Sequence, residues 1–265
     1  MKKRTIYFSL LVLLIAGNAC EKIIDLDINE SNPQLVVEAN IESGKVCRVK
    51  LSKTKSLFEE EATTYINNAV VRLKSSAGEE ETLSLEENGL YTSSAITGTE
   101  TLSYNLSIES EGEIYEATTT IPAKVALDTI EFQKVVTPMR TMFMTVAKFT
   151  DPAEFNNYYK VNFYIKDTTW KKVPSINVEN DQLSNGAEIG AMGTGMDIET
   201  GDSVLVELLS IDQQIYDYFY TLDDVIGSGM MGSSAPYNPT SNISNGALGY
   251  FGGWSVDKRK GLVNE

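Results

Sequence analysis

The chain has 265 residues, 37 acidic against 22 basic side chains, two cysteines and no histidine. Such an acidic balance argues against nucleic acid or an anionic membrane face as partner, because both call for clustered Lys and Arg. The lack of imidazole excludes the Ser-His-Asp triad, the Cys-His pair and every histidine-based zinc site, leaving carboxylate chemistry as the surviving route to catalysis.

The N-terminus begins with Met1-Lys2-Lys3-Arg4 and continues with the apolar run from Ile6 to Ala16. That is the anatomy of a signal peptide. A spanning helix needs about 20 consecutive apolar residues, and Gly17-Asn18 breaks this run before that length is reached. Gly17-Asn18-Ala19-Cys20 then places small residues at the cut and a cysteine just after it, the signature of a lipoprotein whose residues 1–19 are removed and whose Cys20 carries lipid. Several acyl chains at about 0.8 kcal/mol per buried CH2 make a stable anchor without help from the protein surface. The mature chain carries 19 basic and 37 acidic side chains, a charge of -18, and residues 20–33 read as a tether. With Cys20 lipidated no disulfide forms, and Cys47, alternating with Val49 and Leu51, is expected to face a core as a small hydrophobe.

From residue 34 to 122 the pattern is that of an immunoglobulin-like β-sandwich. Seven short alternating stretches are predicted: Leu35 to Ile41, Val46 to Ser52, Ala69 to Lys74, Glu81 to Leu85, Gly89 to Thr92, Ser103 to Ser110 and Ile114 to Ile121. Turn residues fall between most of them, at Ser43-Gly44, Ala77-Gly78, Asn88-Gly89, Gly98 and Gly112, the spacing of an all-β domain. The acidic runs Glu79 to Glu81, Glu86-Glu87 and Glu109 to Glu113 read as solvated turns. Pro122 ends the last strand and places a domain boundary near residues 122 to 127.

Residues 127 to 265 read as a second β-rich domain. Strands are predicted at Asp128 to Val136, Thr141 to Phe149, Tyr158 to Lys166 and Ser203 to Leu209, with a Gly-rich polar region from Pro174 to Gly201. Ile211, Ile215, Phe219, Leu222 and Ile226 recur at helical spacing, which predicts one amphipathic helix near 211–226. Ser210 and Gln213 have the spacing of a capping box, and Gly227 is expected to close the helix. The fold class is therefore mainly β, an N-terminal sandwich followed by a β-rich part with one helix.

The pieces Cys20 to Asp27, Leu35 to Ala39, Ala69 to Leu73, Asp151-Pro152 with Asn157-Tyr158-Tyr159, Ser210-Ile211-Asp212 with Tyr216-Asp217-Tyr218, and Asn242 to Gly253 occur in this order. Together they resemble a family of Bacteroidota lipoproteins known as domain of unknown function 4249, across nearly the whole mature chain. Members of that family usually occur beside TonB-dependent outer-membrane receptors. The resemblance thus implies an outer-membrane location, on the periplasmic or the surface-exposed face, and an accessory role in uptake. It supplies no catalytic residues. Gly249-Tyr250-Phe251-Gly252-Gly253 is its most specific element.

Three motif matches lack their context. Gly227-Ser228-Gly229-Met230-Met231-Gly232 fits the dinucleotide pattern but follows a helix instead of opening one after a strand. Asp25 to Asn29 begins like a calcium loop, yet Glu30 and Val36 stand where its glycine and bidentate glutamate belong. Ser52-Lys53-Thr54-Lys55 contains S-x-x-K without its companion elements and reads as the polar end of a strand. No metal, cofactor or catalytic residue is expected. Tyr237, Tyr250, Phe251 and Trp254, with Tyr216, Tyr218 and Tyr220, are the candidates for a ligand or partner surface, against packing of the helix on the sheet. Three function classes are open: a TonB-receptor accessory, a structural or adhesive surface module, and a carboxylate-based hydrolase with a close acid pair in a deep cleft.

Overall fold

The computed structural model of the chain describes residues 33–55, 62–136, 138, 141–166, 168–231 and 237–264. Cys20 and the calcium-like Asp25 to Asn29 lie outside the described residues. The described strands are β1 (Leu35–Glu42), β2 (Val46–Lys53), β3 (Val70–Ser75), β4 (Glu80–Thr82), β5 (Ser84–Leu85), β6 (Leu90–Thr97), β7 (Ser103–Ser110) and β8 (Glu113–Thr120), followed by β9 (Thr129–Val136), β10 (Thr141–Thr150), β11 (Tyr158–Lys166), β12 (Trp170–Lys172), β13 (Val178–Asn180), β14 (Glu188–Gly193), β15 (Ser203–Ile211) and β16 (Leu248–Leu262). One helix, α1 (Gln213–Met231), lies between the last two strands. The protein is mainly β, as the alternation of its side chains requires.

One nine-stranded sheet in the order β12-β11-β15-β16-β1-β2-β6-β5, with β13 on β11, runs through both halves of the sequence. A four-stranded sheet, β4-β3-β7-β8, covers one half of it, and a three-stranded sheet, β14-β10-β9, belongs to the other. The first core joins Val37, Ala39, Val49, Leu51, Leu73 and Leu106, with Cys47 fully buried among them. Burial first, then the Glu81 carboxylate, pushes the Cys47 thiol up to about 12, which leaves it an inert hydrophobe near neutral pH. The second core joins Phe149, Tyr159, Val161, Phe163 and Val206.

The break expected at 122–127 does not separate two sheets. Strand β16 pairs in parallel with β1 from Val36↔Leu248 to Glu42↔Trp254, and antiparallel with β15 from Ile211↔Trp254 to Ser203↔Leu262. Trp254 is the residue at which the strand passes from one partner to the other, and Phe251 from β16 fills the first core. Residues 124–127 are pinned by side chains: Lys124 N donates to Glu100 Oε2 (3.1 Å), Val125 N to Ser210 Oγ (3.2 Å) and Leu127 N to Asp257 Oδ2 (2.9 Å). Residues 33–265 accordingly form one unit with two large cores and a smaller cluster under the helix.

Three local expectations are corrected. The helix starts after Asp212, not at Ile211, which ends β15, and Ser210 accepts from the linker instead of capping. It also continues past Gly227 to Met231, since an exposed interior glycine costs a helix only about 1 kcal/mol. The polar region 174–201 contains β13 and β14; the buried residues of β14, Ile189, Ala191 and Gly193, include only one large hydrophobe, so the alternation does not stand out.

The β1–β16 pairing depends on Gly249, which has φ +94°; a Cβ there would lie 1.9 Å from the Val37 carbonyl oxygen. Gly249→Ala combines a left-handed conformation that L residues resist with a clash against main chain that has no room to yield. It should lower stability by at least ~2 kcal/mol in urea unfolding. A variant as stable as the parent would mean that β16 does not pair with β1 in this register.

Candidate functional site

The sequence-predicted aromatic residues separate into three environments. Phe251 is fully buried in the first core, so its expected role at a binding surface is corrected to packing. Tyr250 and Trp254 are half-buried beneath α1, packed against the buried Tyr158, Leu209 and Ile211 of the sheet and Ile215 of the helix. The Tyr250 ring lies 4.8 Å from Tyr218 and 5.3 Å from Phe219, and burial, then the Glu38 charge, pushes its hydroxyl up to about 12. These contacts join helix to sheet, the alternative weighed in the sequence. Only Tyr237 and Tyr220 are exposed, on the outer side of α1, where the Tyr237 hydroxyl donates to Asp224. Tyr216 bridges inward, 5.2 Å from Tyr158 and 5.7 Å from Tyr220.

The Asn242 to Gly253 piece is likewise structural. Asn242 spends both ends of its carboxamide on Phe251, donating to its carbonyl and accepting from its amide, each at 2.9 Å. Gly252 leaves the space into which Ile215 of α1 fits, since a Cβ there would lie 3.1 Å from that side chain.

A cleft of about 610 Å³ opens where linker, sheet and helix start meet. Its walls come from Pro122 and Lys124 of the linker, from Pro152 to Tyr158 between β10 and β11, and from Asp212 and Gln213 at the head of α1. Its size is within the range of about 300–1,000 Å³ typical of small-ligand sites. The β10–β11 wall is held from behind by two buried acids. Asp151 accepts from the Tyr159 hydroxyl and from Gly186 N (3.0 Å), and Asp181 accepts from Asn157 N (3.0 Å). Asn156 in this wall has φ +73°, a conformation that asparagine tolerates better than most residues.

Asp212 organises the opposite wall. Its Oδ1 accepts from Ile215 N (3.0 Å), which makes it the helix N-cap, while its Oδ2 accepts from the Thr119 hydroxyl (2.6 Å) and Thr120 N (3.0 Å). Thr119 Oγ1 in turn accepts from Gly253 N (2.7 Å). One carboxylate thereby ties α1, β8 and, through one hydroxyl, β16. Both of its oxygens are spent, so of the two acids lining the cleft only Glu154 is free of such duty. Among the described residues no three His, Cys, Asp or Glu side chains could share a metal ion.

Beside the cleft, on the helix side of the sheet, Lys160 is buried at 5% exposure, with Nζ 2.6 Å from Asn162 Oδ1 and 4.6 Å from the centre of the Phe219 ring. Burial, then the neighbouring Lys172 charge, lowers its ammonium to about 7. Sequence alternation hid it, because a lysine in Tyr158 to Lys166 reads as a solvent-facing position.

Two predictions follow from these contacts. Asp212→Ala removes the cap and orphans the Thr119 hydroxyl and Thr120 amide, so urea unfolding should show a loss of about 3 kcal/mol, with Asp212→Asn recovering part. An unchanged midpoint would show that the carboxylate does not tie these elements. For Lys160, whose folded pKa lies below its unfolded value, the unfolded chain binds the extra proton between about pH 7 and 10.5. Stability should therefore rise with pH from about 7 to 9, below the range in which the unfolded chain's Cys47 and Tyr250 lose protons and oppose the rise, and Lys160→Met should flatten it. A parent curve already flat there would contradict a neutral buried lysine.

No curated protein matches the chain at a significant level. Among solved structures, a two-domain fibronectin type III segment from chicken tenascin is similar at 11% identity, covering 69% of this chain and 92% of that one, with a TM-score of 0.23. The family described as "Domain of unknown function (DUF4249)" matches residues 21–260. The chain belongs to the DUF4249 family.

Proposed function

We propose that this protein is a lipid-anchored, non-catalytic accessory of a TonB-dependent outer-membrane receptor, capturing a ligand or docking a partner at the junction cleft. Residues 1–19 direct export, Cys20 carries the lipid, and the body stands at the outer membrane as in the Bacteroidota lipoproteins that the sequence resembles. Among the described residues no helix is long and apolar enough to cross a membrane, so within them attachment does not come from a spanning helix.

The observation that carries the reading is convergence at the cleft. Pro152, Asn157, Tyr158, Ser210 and Asp212, drawn from separate sequence pieces that bear the resemblance, line one cavity whose walls are cross-tied by Asp151, Asp181 and Asp212. A site held this firmly orders little on binding, which favours recognition. Hydrolysis by paired carboxylates is poorly served, because Asp212 is committed to three donors and Glu154 has no second free acid beside it in the lining. The carboxamides of Asn156 and Gln213, the Lys124 ammonium and the Glu154 carboxylate suit a small polar ligand.

A mild-detergent pull-down of the lipidated protein from its native membrane, with Cys20→Ala as control, tests this reading. A TonB-dependent β-barrel receptor should be recovered in near-equal amount and be lost in the control. Recovery of the lipoprotein alone, from membranes rich in such receptors, would defeat it in favour of a structural or adhesive module.

A further inference from the structure

On the same side as α1, beyond the helix, the nine-stranded sheet presents residues whose register places them in rows. Lys166 of β11 is flanked by Trp170 and Ser203, and Ser203 by Leu262. The next row is Lys172, Tyr164, Leu205 and Lys260; the one after it is Asn162, Glu207 and Lys258. Strands about 4.8 Å apart put these side chains on one continuous surface. Lys166, Lys172, Lys258 and Lys260 are exposed, and Leu262 is 53% exposed beside them. The Lys260 Nζ lies 5.6 Å from the centre of the Trp170 ring.

Glu207 is the one acid among the described residues of these rows, and it is neutralised. It accepts from Lys258 Nζ (2.5 Å) and from the Tyr164 hydroxyl (2.8 Å); although burial opposes its charge, those hydrogen bonds hold the carboxyl below its ordinary value. Glu42 on the neighbouring strand is paired with Lys45 (2.8 Å). Lys166, Lys172 and Lys260 therefore face solvent as a local excess of positive charge on a chain of net charge -15. Lysine on the three-residue edge strand β12 also discourages edge-to-edge pairing, but that need does not account for Lys258 and Lys260 on β16 or for an exposed Leu262 among them.

We propose that this cation-rich, aromatic sheet face is a docking surface for an acidic segment of a partner protein. Charge complementarity selects the occupant. A short acidic segment meets only the lysine rows, with Trp170 and Leu262 for its apolar atoms, whereas a broad anionic lipid surface also meets the field of a chain whose net charge is -15. The inference stands apart from the cleft and from the receptor reading; neither is needed for it.

The test uses the full mature chain carrying Cys20→Ala and a fluorescein-labelled decaglutamate peptide, read by anisotropy. Binding is expected in low salt, weakening as salt is raised through the range where the Debye length falls below about 10 Å. Lys172→Glu combined with Lys260→Glu should weaken it roughly tenfold or more, while Lys74→Glu with Lys134→Glu, on the other two sheets, should leave it within about twofold. Circular dichroism of each variant separates lost binding from lost fold. If unfolding spoils the reversed pair, Lys166→Gln with Lys260→Gln carries the same expectation with a smaller loss. Absence of decaglutamate binding in low salt, equal weakening by the control pair, or binding confined to phosphatidylglycerol vesicles overturns the proposal.

Discussion

The carboxylate of Asp212 is the point through which the two halves of this protein are made one. It caps α1, fixes the end of β8 through Thr119 and Thr120, and reaches β16 through the Thr119 hydroxyl. A charged acceptor satisfying several donors in a partly buried place is worth more than the same bonds in water, and losing it orphans each donor. The linker amides are bound in the same way by Glu100, Ser210 and Asp257, so that main-chain donors that strand pairing cannot reach are taken up by side chains from both halves. A flexible hinge at 122–127 would leave those donors to water; here they are bound.

The glycines of the C-terminal strand complete this arrangement from the other side. Gly249 admits the backbone of β1, and Gly252 admits Ile215 from α1, so one strand is approached closely by both a neighbouring strand and a helix. Tyr250 and Trp254, between and beyond the glycines, supply the apolar area on which the helix rests. The most distinctive run in the sequence is thus explained by contact, with no ligand required.

Much of this is legible in the sequence. Strands with strict alternation, such as Leu35 to Ile41 and Ser103 to Ser110, read directly because one face of each is buried, and Cys47 was placed by its neighbours Val49 and Leu51. The spacing of Ile215, Phe219 and Leu222 marks the helix, but the sequence places its start two residues early, because Ser210 and Asp212 are both good caps and only the tertiary partner of Ser210 decides between them. The crossing of β16 was invisible. Asp257-Lys258-Arg259-Lys260 has no apolar alternation, and pairing of the last strand with the first leaves no local trace. The cleft was equally hidden, since its walls come from residues near 122, 152 and 212 whose proximity is created by that crossing.

The parallel partnership of β1 with β16 has a consequence for how the molecule is made. The two strands are separated by about 200 residues of chain, and their contact can form only after nearly everything between them has been synthesised. Until then β1 presents an unpaired edge, and the first core lacks Phe251 and Ala247. The emerging N-terminal part therefore stays short of its final stability and locks only when the last strand arrives.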